Sequence, residues 1–407
     1  MKKVLILCDA FPPAFAPRMG YLVKYLKESG WQAVAITEEI PQKPFTFLKG
    51  ICETLFVDYY KDAKSPIHRQ YLFLMEFLFG KKNKQLYQLA LTQTQKHHFD
   101  LILCSTYRSF PLDAARKLSK ETGLPLIVDL RDIVEQFSGY EMFAQKLPSI
   151  PLIRDVVGWI LKKRSFWERN AALKAASHVT TVSPWHVETL KKFNPNTSLI
   201  YNGYDPEFFY PAPVRNSQFT ITYTGRLISL AVRNPDLFFL AVKRLSDEGI
   251  FSANECRIQW YIDEVSQELL RVEACKYGLE EYMDYPGYVS GSEIPKVLNQ
   301  SSVLLVLANK SAGNGPKGIM TTKLFESLAV ERPLLCVRSD EDCLEAVIKK
   351  TNIGLAARTE QEAYDFLKHH YLQWKSTGLT YIDVNHKEVK NFSRKEQALQ
   401  FLRLFDL

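Results

Sequence analysis

Most strand-like runs in this chain are apolar from end to end, with no alternation. "KKVLILC", "DLILCST", "LPLIVDL", "SVLLVLA" and "RPLLCV" are examples. A strand without a polar side must be covered on both faces, which is the condition of a parallel sheet between two helical layers. The intervening segments supply those layers. "RMGYLVKYLKESG", "PLDAARKLSKETG" and "NPDLFFLAVKRLSDEG" carry apolar residues at helical spacing and end on glycine. The α/β alternation stops at the proline-rich stretch 205–217 and then starts again. Since 407 residues exceed one ordinary core, the chain is predicted to form two domains. The fold class is α/β, two doubly wound halves facing across a cleft. The expected boundaries are 1–204, a hinge at 205–217, a second domain at 218–385, and a last helix, 386–407, that returns to the first domain.

Composition narrows the function classes. The net charge of +7 is too small and too dispersed to argue for nucleic acid, and suits an anionic small molecule or an anionic membrane face. The seven cysteines show no CxxC spacing and sit partly in strand-like runs, so they read as free thiols in a reducing compartment. No apolar run approaches the ~18 residues of a membrane span. The start, "MKKVLILCDA", reads as a first strand, and a cytoplasmic location is expected, peripheral on the inner membrane. Residues 66–84 and "PLIRDVVGWILKKRSFWERN" mix aromatics with lysine and arginine. Such segments suit an anionic membrane surface or a helix packed on its own domain, and the pattern leaves both open. His97–His98 and His369–His370 read as surface residues. No Walker motif, nucleophile elbow or zinc spacing occurs, and neither a metal nor a cofactor is expected.

In an open parallel sheet ligands gather at the carboxyl ends of the strands. Four post-strand places therefore stand out. "FPPAFAPRMG" puts Gly20 near a helix start that can face an anion. "VDLRD" gathers Asp129, Arg131 and Asp132, which suits either a guanidinium fork for phosphate or an internal ion pair. "YTGRLISLAVRNPDL" combines Gly225, Arg226 and Arg233 before a helix start, the makings of a diphosphate clamp. Finally, "TTKLFESLAVERPLLCV" places Lys323 and Glu326 at i and i+3 on one helix. Spacing alone leaves a salt bridge and a ligand grip equally open there.

Taken together these stretches, with "VTTVSPWHVETL", "NGYDPEFF", "PGYVSGSEIPKVLNQ" and "KLFESLA", resemble the retaining GT-B glycosyltransferases of family four. The nearest likeness is to bacterial enzymes of capsule, O-antigen and exopolysaccharide assembly. The resemblance implies two Rossmann-like domains and a nucleotide-diphosphate-sugar donor held by the second. Arg226, Arg233 and Lys323 would stabilise the departing diphosphate, and Glu326 would hold the ribose hydroxyls. Gly225, Met320, Thr321 and Thr322 would line the donor site with backbone groups. The acceptor, a glycan or a polyprenyl-diphosphate-linked sugar, would bind the first domain near Pro17, Arg18, Gly20 and Asp129. Arg131 and Asp132 would support the reaction from that side. Three departures stand out. Gly318 occupies the place of the family's first glutamate, Ala231 the place of a lysine, and Arg131 that of a frequent histidine. A sugar-nucleotide epimerase of the same architecture and a non-catalytic sugar-nucleotide-binding subunit are the alternatives.

Overall fold

The computed structural model describes all residues except 15–16, 62, 64, 138–150, 228, 231–232, 309–317, 338–341 and 407. Ala231, where the resemblance would place a lysine, lies outside the described residues. The chain divides into two compact units, Met1–Tyr201 with Gln397–Leu407, and Asn202–Glu396.

In the first unit the strands are β1 (Lys2–Cys8), β2 (Trp31–Glu38), β3 (Glu53–Val57), β4 (Leu101–Thr106), β5 (Leu126–Leu130), β6 (His178–Thr181) and β7 (Thr197–Leu199). They form one sheet in the order β3-β2-β1-β4-β5-β6-β7, and every pairing is parallel. The chain winds outward in both directions from β1 and β4, so these two strands mark the topological switch point. Every residue of β4 and β5 is buried, as their unbroken apolar runs require. The helices are α1 (Pro17–Leu26), α2 (Pro66–Phe79), α3 (Lys81–Lys96), α4 (Leu112–Thr122), α5 (Pro151–Ala175) and α6 (Pro184–Leu190).

Strands of the second unit are β8 (Phe219–Thr224), β9 (Cys256–Tyr261), β10 (Met283–Asp284), β11 (Val303–Leu307), β12 (Leu334–Val337) and β13 (Gly354–Ala357). Their order is β10-β9-β8-β11-β12-β13, again all parallel, with the switch point between β8 and β11. The helices are α7 (Asp236–Asp247), α8 (Glu264–Tyr277), α9 (Ile294–Asn299), α10 (Thr322–Val330), α11 (Asp342–Thr351), α12 (Glu360–Thr377), α13 (His386–Lys390) and the start of α14 (Arg394–Phe405). The remainder of α14 belongs to the first unit. Its Ala398, Phe401, Leu402 and Phe405 join Val4, Ile6, Met19 and Leu22 in one apolar cluster. Each fully buried side chain of that size contributes about 1.5–3 kcal/mol, enough to hold a short terminal helix in place.

Residues 205–217 fall within the second unit, which holds part of their backbone. Asn299 accepts from the Ala212 amide at 2.6 Å and donates to the Tyr210 carbonyl at 3.0 Å. His370, expected at the surface, lies in the second unit's interior with its ring 4.5 Å from that of Phe366. Burial drives its pKa down to about 4, so it is neutral at physiological pH.

Candidate functional site

In the second unit the candidate residues converge at the β8/β11 switch point. Gly225 follows β8 at once, and its φ of 111° lies outside the range of ordinary side chains. The reason is steric as well as conformational. A Cβ at this position would stand 2.0 Å from Lys323 Cε and 2.2 Å from its Nζ. Lys323, in the first turn of α10, therefore lays its side chain over a bare stretch of backbone. Its ammonium also lies 5.6 Å from the centre of the Tyr223 ring. Arg233 is buried and donates from Nη1 to the Leu307 carbonyl at the end of β11, at 3.0 Å. Its Nε is buried with no hydrogen-bond partner. A helix start follows at once, where the Asn234 side chain accepts from the Asp236 amide at 2.9 Å.

Charge is out of balance in this place. Burial, and after it the Arg233 charge, bring the Lys323 pKa down to about 8, with Glu326 only partly offsetting them. Burial also raises Glu326 to about 7, against the pull of Lys323 and Arg394. Two cations thus press on one another beside a carboxylate that titrates near neutrality. An anion set between Lys323 and Arg233 would relieve both. Thr321 caps α10 without a side-chain hydrogen bond, so the first amides of this nine-residue helix have no capping side chain. Met320 is buried just before it, and Thr322 is exposed at its first position.

Arg226 does not join this cluster. Its guanidinium is 71% exposed and pairs with Asp263 Oδ2 at 3.1 Å, at the cap of α8. The expected two-arginine clamp therefore becomes a pair of Arg233 and Lys323, with Arg226 on the rim. Gly318 has φ 67°, a left-handed conformation in which a glutamate would be strained.

The first unit has its own cluster at the β1/β4 switch point. Asp9 follows β1, Tyr107 follows β4 and Arg131 follows β5. Arg131 Nη2 donates to Asp9 Oδ1 at 2.5 Å, and its guanidinium lies 5.2 Å from the Tyr107 ring centre. The other Asp9 oxygen, Oδ2, and Arg131 Nε are buried without partners. Burial raises the pKa of both Asp9 and Asp132, and Arg131 counteracts this at each. Asp9 escaped the sequence reading. It obeys the same post-strand rule as Arg131, but "LCDAF" carries no second charge to draw attention to it.

Three residues expected at an acceptor site have structural work instead. Arg18 and Asp129 form a buried pair, 3% and 0% exposed. Arg18 Nε and Nη2 donate to the two Asp129 oxygens at 3.2 and 3.1 Å, and its other N–H groups donate to the Ile200 and Tyr201 carbonyls. Ser105 and Thr180 hydroxyls complete the carboxylate's partners, each at 2.8 Å. These contacts occupy both charged groups, so the internal ion pair of Asp129 is made with Arg18, while Arg131 pairs with Asp9. Gly20 allows α1 to approach the preceding loop, since a Cβ there would meet Pro12 Cγ at 2.5 Å. Pro17 opens α1 and is half-buried. Among the described residues no group of three or more His, Cys, Asp or Glu side chains is placed to hold a metal ion.

Two parallel-sheet units, each doubly wound about a switch point, constitute the GT-B fold. Residues 18–208 match the model of Glycosyltransferase Family 4. Solved structures agree on the fold over the whole length. Anabaena Alr3699/HepE in complex with UDP-glucose is similar at 14% identity and a TM-score of 0.65, with 100% of each chain covered. Sucrose-phosphate synthase from Thermosynechococcus elongatus is similar at 14% identity and a TM-score of 0.62, covering 100% of this chain and 98% of its own. The lipopolysaccharide outer core galactosyltransferase WaaB matches at 13% identity and a TM-score of 0.57, with 100% of both chains covered. No curated protein matches the sequence.

Proposed function

We propose that this protein transfers a sugar, with retention, from a nucleotide-diphosphate-sugar to a glycan or polyprenyl-linked acceptor in bacterial surface polysaccharide assembly. The observation that carries the reading is the pairing of Lys323 with buried Arg233 beside the uncapped start of α10. These groups would form an anion site at the switch point of the second unit. A diphosphate leaving group gathers negative charge as the glycosidic bond breaks, and fixed cations with helix N–H groups stabilise that charge. Glu326 would accept hydrogen bonds from ribose hydroxyls, for which it must be ionised. The Lys323 ammonium favours that state, and so would neutral or higher pH. Arg226, on the rim, would reach the distal phosphate only by leaving Asp263. In the first unit the unpartnered Asp9 oxygen and the Arg131 guanidinium would orient the acceptor, with Asp132 beside them.

UDP-glucose bound to Alr3699/HepE supports a uridine nucleotide as the first donor to test. The experiment is a thermal-shift panel of sugar nucleotides. A ligand that binds only the folded state raises Tm by mass action, by about 2.7 kcal/mol at a hundred times its Kd. A shift with one nucleotide family supports the reading, and no shift with any at millimolar levels overturns it. Binding without transfer to any acceptor would favour the non-catalytic alternative, and turnover of the donor without an acceptor would favour the epimerase.

A further inference from the structure

α10 carries Lys323 and Glu326, and the ends of the second unit are seated on it. That unit begins at Asn202 and ends at Glu396. Close to both ends the chain forms an isolated parallel bridge, Tyr204 with Ser393. The Tyr204 amide donates to the Phe392 carbonyl at 3.2 Å, and the Arg394 amide donates to the Tyr204 carbonyl at 2.7 Å. Ser393 Oγ accepts from the Glu396 amide at 3.2 Å and so caps α14, whose first residue is Arg394. Side chains then tie the bridge to α10. The buried rings of Phe392 and Phe325 lie 5.6 Å apart. At the far end of α10, Glu331 Oε1 lies 2.8 Å from His386 Nδ1. Arg394 is thus fixed by its backbone, and its side chain is only 4% exposed. A guanidinium so deeply placed needs a nearby opposite charge. Glu326, the residue after Phe325, is a carboxylate on which its charge acts.

Two cations act on the Glu326 carboxylate, Lys323 from its own helix and Arg394 from the bridge. They cease to be equivalent once a nucleotide binds. In the proposed donor complex Lys323 faces the diphosphate, so phosphate oxygens take up its charge. The phosphates also bring negative charge toward Glu326, and a like charge disfavours an ionised carboxylate. Ribose hydroxyls are donors, and an ionised carboxylate accepts from two of them where a protonated one must keep its own O–H. Arg394 is the cation that the diphosphate does not engage. We infer that Arg394 is a positioning residue, which keeps the Glu326 carboxylate ready for the ribose hydroxyls after a diphosphate has engaged Lys323. The inference deepens the proposed donor reading and rests on it. Tyr204, Glu331, His386, Lys395 and Glu396 are further titratable groups on the segments packed here, and none of them is among the charges that act on Glu326.

The test uses the full chain as wild type, Arg394→Met and Arg394→Lys, each with and without Glu326→Gln. Its first arm needs no ligand. Urea midpoints across pH, read as the difference made by Glu326→Gln, follow the titration of Glu326 in the folded protein. The stabilising protonation of that group is lost as pH rises through its folded value, about 7 in the wild type. Arg394→Met should carry this loss at least about one pH unit higher, and Arg394→Lys should bring it back. The second arm measures binding of UDP, GDP and ADP, each beside its 2′-deoxy analogue, by isothermal titration calorimetry near neutral pH. The wild type should prefer the ribose form about tenfold, the worth of one charge-assisted hydrogen bond. In Arg394→Met that preference should shrink to about twofold and recover as pH is raised, with affinity for the deoxy form little changed. A Glu326 titration that Arg394→Met does not move, or a ribose preference that survives it, would overturn the inference. If Arg394→Met does not fold, Arg394→Gln takes its place, and failure of both would overturn the inference by making Arg394 purely structural. Normal nucleotide binding with an unmoved titration would sink the inference and leave the donor reading standing. No binding of any nucleotide to the wild type would sink the donor reading and the ribose role together, whatever the first arm shows.

Discussion

Replacing Lys323 by methionine should move stability and ligand affinity in opposite directions. Methionine keeps an unbranched apolar stem over Gly225 and Tyr223 and removes the ammonium. Its surroundings disfavour that ammonium, for its pKa falls from 10.5 to about 8. At about 1.4 kcal/mol per pH unit this difference sets a ceiling near 3 kcal/mol on the cost of the charged form. The side chain is partly open to solvent, and screening reduces the expected gain to about 1 kcal/mol. For a unit of this size that is about 2–4 °C in Tm. Binding should change the other way. A charge-assisted hydrogen bond to phosphate is worth about 1.5–3 kcal/mol, so the affinity for UDP should fall roughly 10–150-fold. Differential scanning calorimetry of the ligand-free protein measures the first quantity, and isothermal titration calorimetry with UDP the second. A variant that is clearly less stable than the wild type, or that binds UDP equally well, would refute the reasoning.

The pH dependence carries two further signatures, read from urea midpoints between pH 4 and 10. Glu326 has a folded pKa near 7 against 4.5, so its stabilising protonation is complete below pH 4.5 and lost as pH rises through 7. Lys323 has a depressed folded pKa, so the unfolded chain binds more protons between pH 8 and 10.5 and stability rises across that window. Glu326→Gln should abolish the first slope and leave the second. Arg18→Met should cost about 3–5 kcal/mol by leaving Asp129 buried and unpaired, without changing UDP affinity. Unchanged stability with lost transfer would return Arg18 to the acceptor site. Gly318→Glu, although it installs the glutamate that the resemblance would place there, should lower stability by about 1–2 kcal/mol because of its left-handed φ. Tighter sugar-nucleotide binding by that variant would contradict this.

The sheets were legible because their strands are apolar on both sides, and only a parallel sheet between helices can bury such runs. Gly225, Arg233 and Lys323 were legible for a related reason, since each follows a strand or opens a helix at a switch point. What escaped depends on partners far away in sequence. Arg18 and Asp129 are 111 positions apart, and nothing local to "PRMG" or "VDLRD" distinguishes their buried pairing from a ligand contact. Arg226 looked equivalent to Arg233 until Asp263 drew it to the surface. His370 shows the same limit on a helix, where adjacent histidines face different ways and only packing decides which is buried. The aromatic segments at 66–84 and 151–170 allowed both a packed and an exposed reading. The finding that α2 buries no residue needed the tertiary structure.

The central claim is that the second unit holds a sugar nucleotide by its diphosphate through Lys323 and Arg233. The most direct measurement is release of nucleoside diphosphate from a panel of sugar nucleotides, with lipid-linked glycan acceptors supplied in vesicles. The account predicts release with one donor that requires acceptor and collapses in Lys323→Met and Arg233→Met. Release that persists in both variants, or no release and no binding with any sugar nucleotide, would contradict it.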